Sequence, residues 1–270
     1  DIKGCDAWGN LEYDTAQVLA LAYAATGNPQ YLETLTAAAR HFADVDRIHY
    51  SAQHPAWVGM NHPKNPLHFS YELGGIDLGH TWNEGLFTYA LLTGDERAFT
   101  AAREIADYLE RRSSSGVGFR GNPRQWGWPQ IALVAAWENT GDPRYRDAAL
   151  WYAERGILAH AQPNPRDWKA GILAEGLAYT HSATGDPKLR AWLEAYAAAI
   201  LEARPEDPRF YPALAYVNEI APNERLQLAA RGAVDRLGFG RWGKPLTIAG
   251  RIGFTTLYWL SGDGDSPRLP

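Results

Sequence analysis

The chain has one cysteine, Cys5, and one methionine, Met60, in 270 residues. A lone thiol forms no internal disulfide and has no companion at metal-type spacing, so a disulfide scaffold and a zinc ribbon are both excluded. The redox compartment is therefore not written in the cysteines. No apolar run approaches the roughly 18 residues that a helical membrane span needs, so no membrane partner is expected. No signal-peptide pattern opens the chain, which starts at Asp1. With its only methionine at position 60, it is expected to be a processed product or a piece of something longer, an extracellular or periplasmic setting being favoured. Net charge is −5 and the basic residues are scattered, which argues against nucleic acid as a partner. Gly-x-Gly-x-x-Gly, P-loop and Gly-x-Ser-x-Gly patterns are absent, so nucleotide use and α/β-hydrolase chemistry have no support. Strand-type alternation is absent as well.

What is present is aromatic and periodic. Eleven Trp and 14 Tyr accompany a 46% hydrophobic composition, enough for one large domain spanning residues 1–270. Four similar segments punctuate the chain: Thr26-Gly27-Asn28-Pro29, Thr93-Gly94-Asp95, Thr140-Gly141-Asp142-Pro143 and Thr184-Gly185-Asp186-Pro187. Each follows an apolar stretch of helical period and precedes another. Gly supplies the left-handed residue that ends a helix, Asp or Asn caps the next one, and Pro fits the first helical position. Helix, short turn, helix is an αα-hairpin. The spacing of the last three glycines is near 45 residues, the period of stacked helical pairs. A fifth hairpin is predicted over 209–219 and 223–237, then a helix at 245–260. The fold expected is all-α: an α/α toroid, an incomplete (α/α)6 barrel of about eleven helices. Gly85, Gly171, Gly176, Gly250 and Gly253, on alternate helices, suit close packing of an inner ring.

The first repeat is about 20 residues longer than the others, and the excess falls between Asp46 and His80. Long loops inside compact domains are mostly functional or disordered, and a loop this aromatic is a poor candidate for disorder. It holds five of the eight histidines: 49, 54, 62, 68 and 80. They include no His-x-x-x-His, so the metal signal is weak and no cofactor is expected, a divalent cation being the one conceivable exception. Acid–base chemistry is the readier use of histidine. Asp44 and Asp46 sit at the end of the second helix, where the dipole disfavours them; they either pair with a base or face a cleft. Thr81 and Glu84 read as a capping box opening the third helix, while His80 and Asn83 have no such structural reason. A helix entry favours an anion such as a uronate carboxylate. Arg120 with Gln125-Trp126-Gly127-Trp128 is read ahead of the fifth helix, and Asp167-Trp168-Lys169 ahead of the seventh. Polar and aromatic groups at the entry of each inner helix would open onto one end of a ring, with Trp faces able to stack on sugar rings.

Several segments resemble a known family. Asn10-Leu-Glu-Tyr-Asp14, the stretch Ala38-Ala-Arg-His41 to Tyr50, and Gly79-His80-Thr81-Trp82-Asn83-Glu84-Gly85-Leu86 resemble the α/α-toroid domain of exo-rhamnogalacturonan lyase-like proteins. The likeness covers residues 10–95 and is generic beyond them. Family members carry β-rich domains ahead of the toroid, which are therefore expected as linked partners. The resemblance implies β-elimination on a uronic-acid-containing oligo- or polysaccharide. A base takes the proton beside the carboxylate, a cation neutralises that carboxylate, and an acid protonates the leaving oxygen. On this reading His49, Tyr50, His62 and His80 supply base and acid. Asp44, Asp46, Asn61, Trp82, Asn83, Arg120, Trp126, Trp128, Trp168 and Lys169 bind substrate. Two alternatives stay open. One is a glycoside hydrolase of the same architecture, pairing Asp44 or Asp46 with Glu84 or Glu175. The other is a non-catalytic sugar-binding ring.

Overall fold

The computed structural model describes residues 13–60, 78, 81–115, 122–238 and 244–261, and among these described residues there are eleven α-helices and no β-strand. The helices are α1 (Thr15–Thr26), α2 (Pro29–Asp44), α3 (Glu84–Thr93), α4 (Glu96–Ser114), α5 (Pro123–Thr140) and α6 (Pro143–Ala159). They continue with α7 (Lys169–Thr184), α8 (Pro187–Ala203), α9 (Tyr211–Ile220), α10 (Glu224–Asp235) and α11 (Lys244–Leu260). The all-α expectation and the helix count both hold.

The hairpins form at the predicted turns, for the predicted reasons and one more. Gly27, Gly94, Gly141 and Gly185 all adopt φ between 66° and 75°, the left-handed conformation that a side chain would strain. Asn28, Asp95, Asp142 and Asp186 then cap α2, α4, α6 and α8 through their side-chain oxygens. The threonine adds two hydrogen bonds. Each Thr Oγ1 donates to the carbonyl four residues back and accepts from the N–H of the Asx residue, as Thr140 does at 2.6 Å and 3.2 Å. The turn therefore leaves few of its end groups to water.

The helices sort into two layers. The odd-numbered helices touch in order, α1 on α3, α3 on α5, α5 on α7, α7 on α9 and α9 on α11, and α11 also contacts α1. The even-numbered ones pack outside them, α2 on α4, α4 on α6, α6 on α8 and α8 on α10. That is the contact order of an α/α toroid. Composition explains the sorting. In α7 every residue from Ala170 to Ala178 is buried, as a helix covered on both sides requires. In α4 the buried residues form a stripe that includes Ala98, Ala101, Ala102, Ile105, Ala106, Tyr108 and Leu109, with charges on the other face.

Glycine sets the closeness of the inner layer. A Cβ on Gly176 of α7 would stand 2.5 Å from the Gly127 carbonyl oxygen of α5, and one on Gly127 would collide with the Ile172 carbonyl. Backbone meets backbone there, and the same holds where Gly171 lies against Arg209.

Candidate functional site

Two inner helices send a carboxylate to one guanidinium, and a third lays an indole beside it. Arg251 of α11 donates Nε and Nη2 to a single oxygen of Glu175 on α7, at 3.1 Å and 3.0 Å, and Nη1 to Glu84 at the start of α3. Its guanidinium carbon lies 5.4 Å from the Trp128 ring of α5. Neither α3, α5 nor α7 is a contact neighbour of α11 in the ring order, so Arg251 reaches across the interior. The side chains of Arg251 and Glu175 are each 3% exposed. Asp14, the N-cap of α1, adds a third carboxylate: it accepts from Gln17 N and, through its other oxygen, from Gly85 N.

The electrostatics follow from three acids sharing one cation in a dry place. Burial pushes the Asp14 carboxyl up to about 6, Glu84 adds to the rise, and the Gly85 N–H and Arg251 oppose it. Burial also raises Glu175 despite Arg251. For Arg251 itself burial works against the charge, and Glu84 and Glu175 outweigh it and hold it protonated.

Asp14 also corrects the reading of Glu84. The N-cap of α3 is Asn83, which makes no side-chain capping bond, so Thr81 and Glu84 form no capping box. The carboxylate that serves this helix start comes from Asp14, which takes the Gly85 N–H, and Glu84 turns inward to Arg251.

Beside this cluster lies the end of the ring where the inner helices begin. Trp128 makes edge contacts with Tyr13 at 5.5 Å and Trp82 at 5.4 Å. The Tyr13 hydroxyl accepts from Arg209 at 3.3 Å, and the Arg209 guanidinium covers the Trp168 ring at 3.8 Å. Lys169 Nζ and the Arg124 guanidinium approach the same ring at 5.6 Å and 5.5 Å. Entries of α1, α3, α5, α7 and α9 thus converge on a lattice of aromatics and cations.

Of the candidate residues, Trp82, Trp128, Trp168 and Lys169 are gathered at this mouth. Trp82 and Trp128 are nearly inaccessible; Trp168 and Lys169 are half-buried. Trp126 and Trp128 do not precede α5 as expected, because Asn122 caps that helix and Pro123 opens it. Two residues apart on a helix, they point opposite ways, and Trp126 packs outward on Trp151 and Tyr152 of α6.

A second group lies in the outer layer. His49 presents Nδ1 to Glu104 of α4 at 2.6 Å and Nε2 to the Ala43 carbonyl of α2 at 2.5 Å. Tyr50 is 81% exposed. Asp44 pairs with Arg97 of α4, and the buried Asp46 lies 3.4 Å from His41, its carboxyl raised by burial. Asn83 donates to the Ala102 carbonyl of α4. The described start of the long loop folds along α4 too, where Arg111 holds the Val58 carbonyl at 2.6 Å. Asn61, His62, His80 and Arg120 lie outside the described residues.

Tyr13, Asp14, Arg124 and Arg209 belong to the mouth and its floor but were not among the candidates. The signal that reaches three of them is an Asx residue at a helix entry: Asp14 before α1, Asn122 before Arg124 and Asp207 before Arg209. Among the described residues no three His, Cys, Asp or Glu side chains form a metal-ligand group, and no helix is long and apolar enough to cross a membrane. No family model matches the chain, and no curated protein or solved structure matches it.

Proposed function

We propose that this ring takes an acidic polysaccharide, of the uronate-containing rhamnogalacturonan type, at the end where the inner helices begin, and cleaves it by β-elimination. The observation that carries the proposal is the gathering of Arg209, Arg124 and Lys169 around the single indole of Trp168. Flat apolar surface and positive charge at one spot suit a sugar ring that bears a carboxylate. Elimination needs that carboxylate neutralised so that the adjacent C–H becomes acidic, and a cation next to a stacking platform supplies this. Base and acid fall to His80 and His62, since His49 is committed to Glu104 and Ala43 in the outer layer.

A second reading is a sugar-binding ring without catalysis. It is favoured by the engagement of His49, whose two ring nitrogens face Glu104 and the Ala43 carbonyl rather than the mouth. The hydrolase reading, Asp44 or Asp46 with Glu84 or Glu175, is less favoured, since Asp44 pairs with Arg97 in the outer layer while Arg251 holds both glutamates inside.

Incubation with rhamnogalacturonan and related polyuronides, followed by unsaturated-uronate absorbance together with reducing ends, separates the three. New absorbance, abolished in His80→Ala, is the expected result. Reducing ends without absorbance would identify a hydrolase, and binding with neither a binding ring. Absence of binding to every acidic glycan would overturn the proposal.

A further inference from the structure

Three Asx turns at the mouth are built alike, two running into α5 and α7 and one into the short 3-10 turn Pro208–Phe210 that leads to α9. Asp167 caps Lys169, Asp207 caps Arg209 and Asn122 caps Arg124, in each case through an Asx oxygen accepting the backbone N–H two residues on, at 3.1, 3.0 and 3.1 Å. In the first two the same carboxylate also neutralises the side chain it precedes. Lys169 Nζ is 3.0 Å from Asp167, and Arg209 meets Asp207 through Nε at 2.8 Å and Nη2 at 2.5 Å. The third entry has an amide where the others have an acid. Arg124 forms no ion pair with any described residue, and its Nε is buried without an acceptor. Its guanidinium carbon lies 5.5 Å from the centre of the Trp168 ring.

Two of the three cations at Trp168 are thus internally cancelled and one is not. An Asp at position 122 would cap the helix as well as Asn does, so capping does not account for the amide.

We infer that Arg124 is the specificity-determining residue of the mouth, binding a single ligand carboxylate while the sugar ring that bears it lies against Trp168. The inference rests on the acidic-polysaccharide reading and adds to it a selection between free and esterified uronates. Arg209 and Lys169 already have their carboxylates, so the charge that reads the acid is one. A guanidinium presents two parallel N–H groups to a carboxylate, and an ester offers no matching pair of anionic oxygens.

The test measures binding of an oligogalacturonate and of its methyl ester by titration calorimetry. Wild type is expected to prefer the acid by about tenfold or more, the scale of one charge-assisted contact. Arg124→Gln should bring acid binding down to the level of the ester. Asn122→Asp is the second variant: it keeps both the cap and the arginine, yet places a carboxylate beside it, and should erase the preference equally. Unchanged acid binding in both variants, with wild type still preferring the acid, overturns the role of Arg124 alone. Wild type that binds neither compound, or both equally, overturns the acidic-polysaccharide reading and this inference with it.

Discussion

Arg251 and Glu175 meet across the interior of the ring, two guanidinium nitrogens on one carboxylate oxygen, at 3.1 Å and 3.0 Å. The pair joins α11 to α7 past the intervening α9, and Glu84 extends it to α3. Removing the cation leaves Glu84, Glu175 and Asp14 facing one another in a dry interior. Arg251→Met should therefore lower unfolding free energy by about 3–5 kcal/mol at neutral pH, the scale for breaking a buried pair. The loss should shrink near pH 5, because the stranded acids escape by taking up protons. Urea unfolding at pH 5 and pH 8 checks both halves; a variant as stable as wild type at pH 8 would show the cluster to be energetically idle.

Asp14 gives the fold a pH dependence of defined sign. Its carboxyl is raised from 3.8 to about 6 in the folded chain, chiefly by burial. The native state thus holds this proton more tightly than the unfolded chain does. The associated stability is fully present below about pH 3.8 and is lost as pH rises through 6. A shift of this size corresponds to about 3 kcal/mol. Relative to Asp14→Asn, wild type should lose roughly that amount between pH 4 and pH 7. Parallel pH profiles for the two proteins would exclude the assignment.

Glycine substitutions should fall into two ranks. Gly176→Ala forces a methyl against the Gly127 backbone and should destabilise by about 1–3 kcal/mol or more, because neither chain can give way. Gly27→Ala meets open space, and its penalty is the left-handed backbone alone, about 1–2 kcal/mol. In thermal unfolding Gly176→Ala is expected to be the worse of the two; the reverse order would mean that the α5–α7 approach relaxes easily.

His49 should behave as a fastener of the loop. Both of its ring nitrogens face acceptors, Glu104 and the Ala43 carbonyl, so His49→Ala frees the loop from α2 and α4. A loss of about 1 kcal/mol in stability is expected, with oligogalacturonate affinity within twofold of wild type. A large loss of affinity at unchanged stability would move the site to the outer layer.

How much of this was legible in the sequence depends on the range of the interaction. The turn at Thr140-Gly141-Asp142 closes with bonds between near neighbours, so its residue types announce it. Likewise the small residues of α7 advertise a covered helix, since Gly171 and Gly176 have no use on an exposed one. Glu84 misled because its local partner, Thr81, fits a familiar pattern, whereas its actual partner is 167 positions away. Asp14 was invisible as a cap for α3 for the same reason, 71 positions separating it from Gly85. At the mouth, Trp168 and Lys169 could be picked out as an aromatic beside a charge. The importance of Arg124 comes from comparing three entries whose similarity is evident only once Trp168 is seen to collect them.

The contact between α11 and α1 has a consequence for how the chain is made. Helical hairpins fold from local contacts and form early, as each leaves the ribosome. The seam cannot form until more than two hundred further residues have been synthesised after α1, and until then Asp14, Glu84 and Glu175 have no Arg251 to meet. A nascent chain is thus an open arc with three acids along its inner wall. Arg251 arrives with α11, so these acids gain their cation only once that helix has been made.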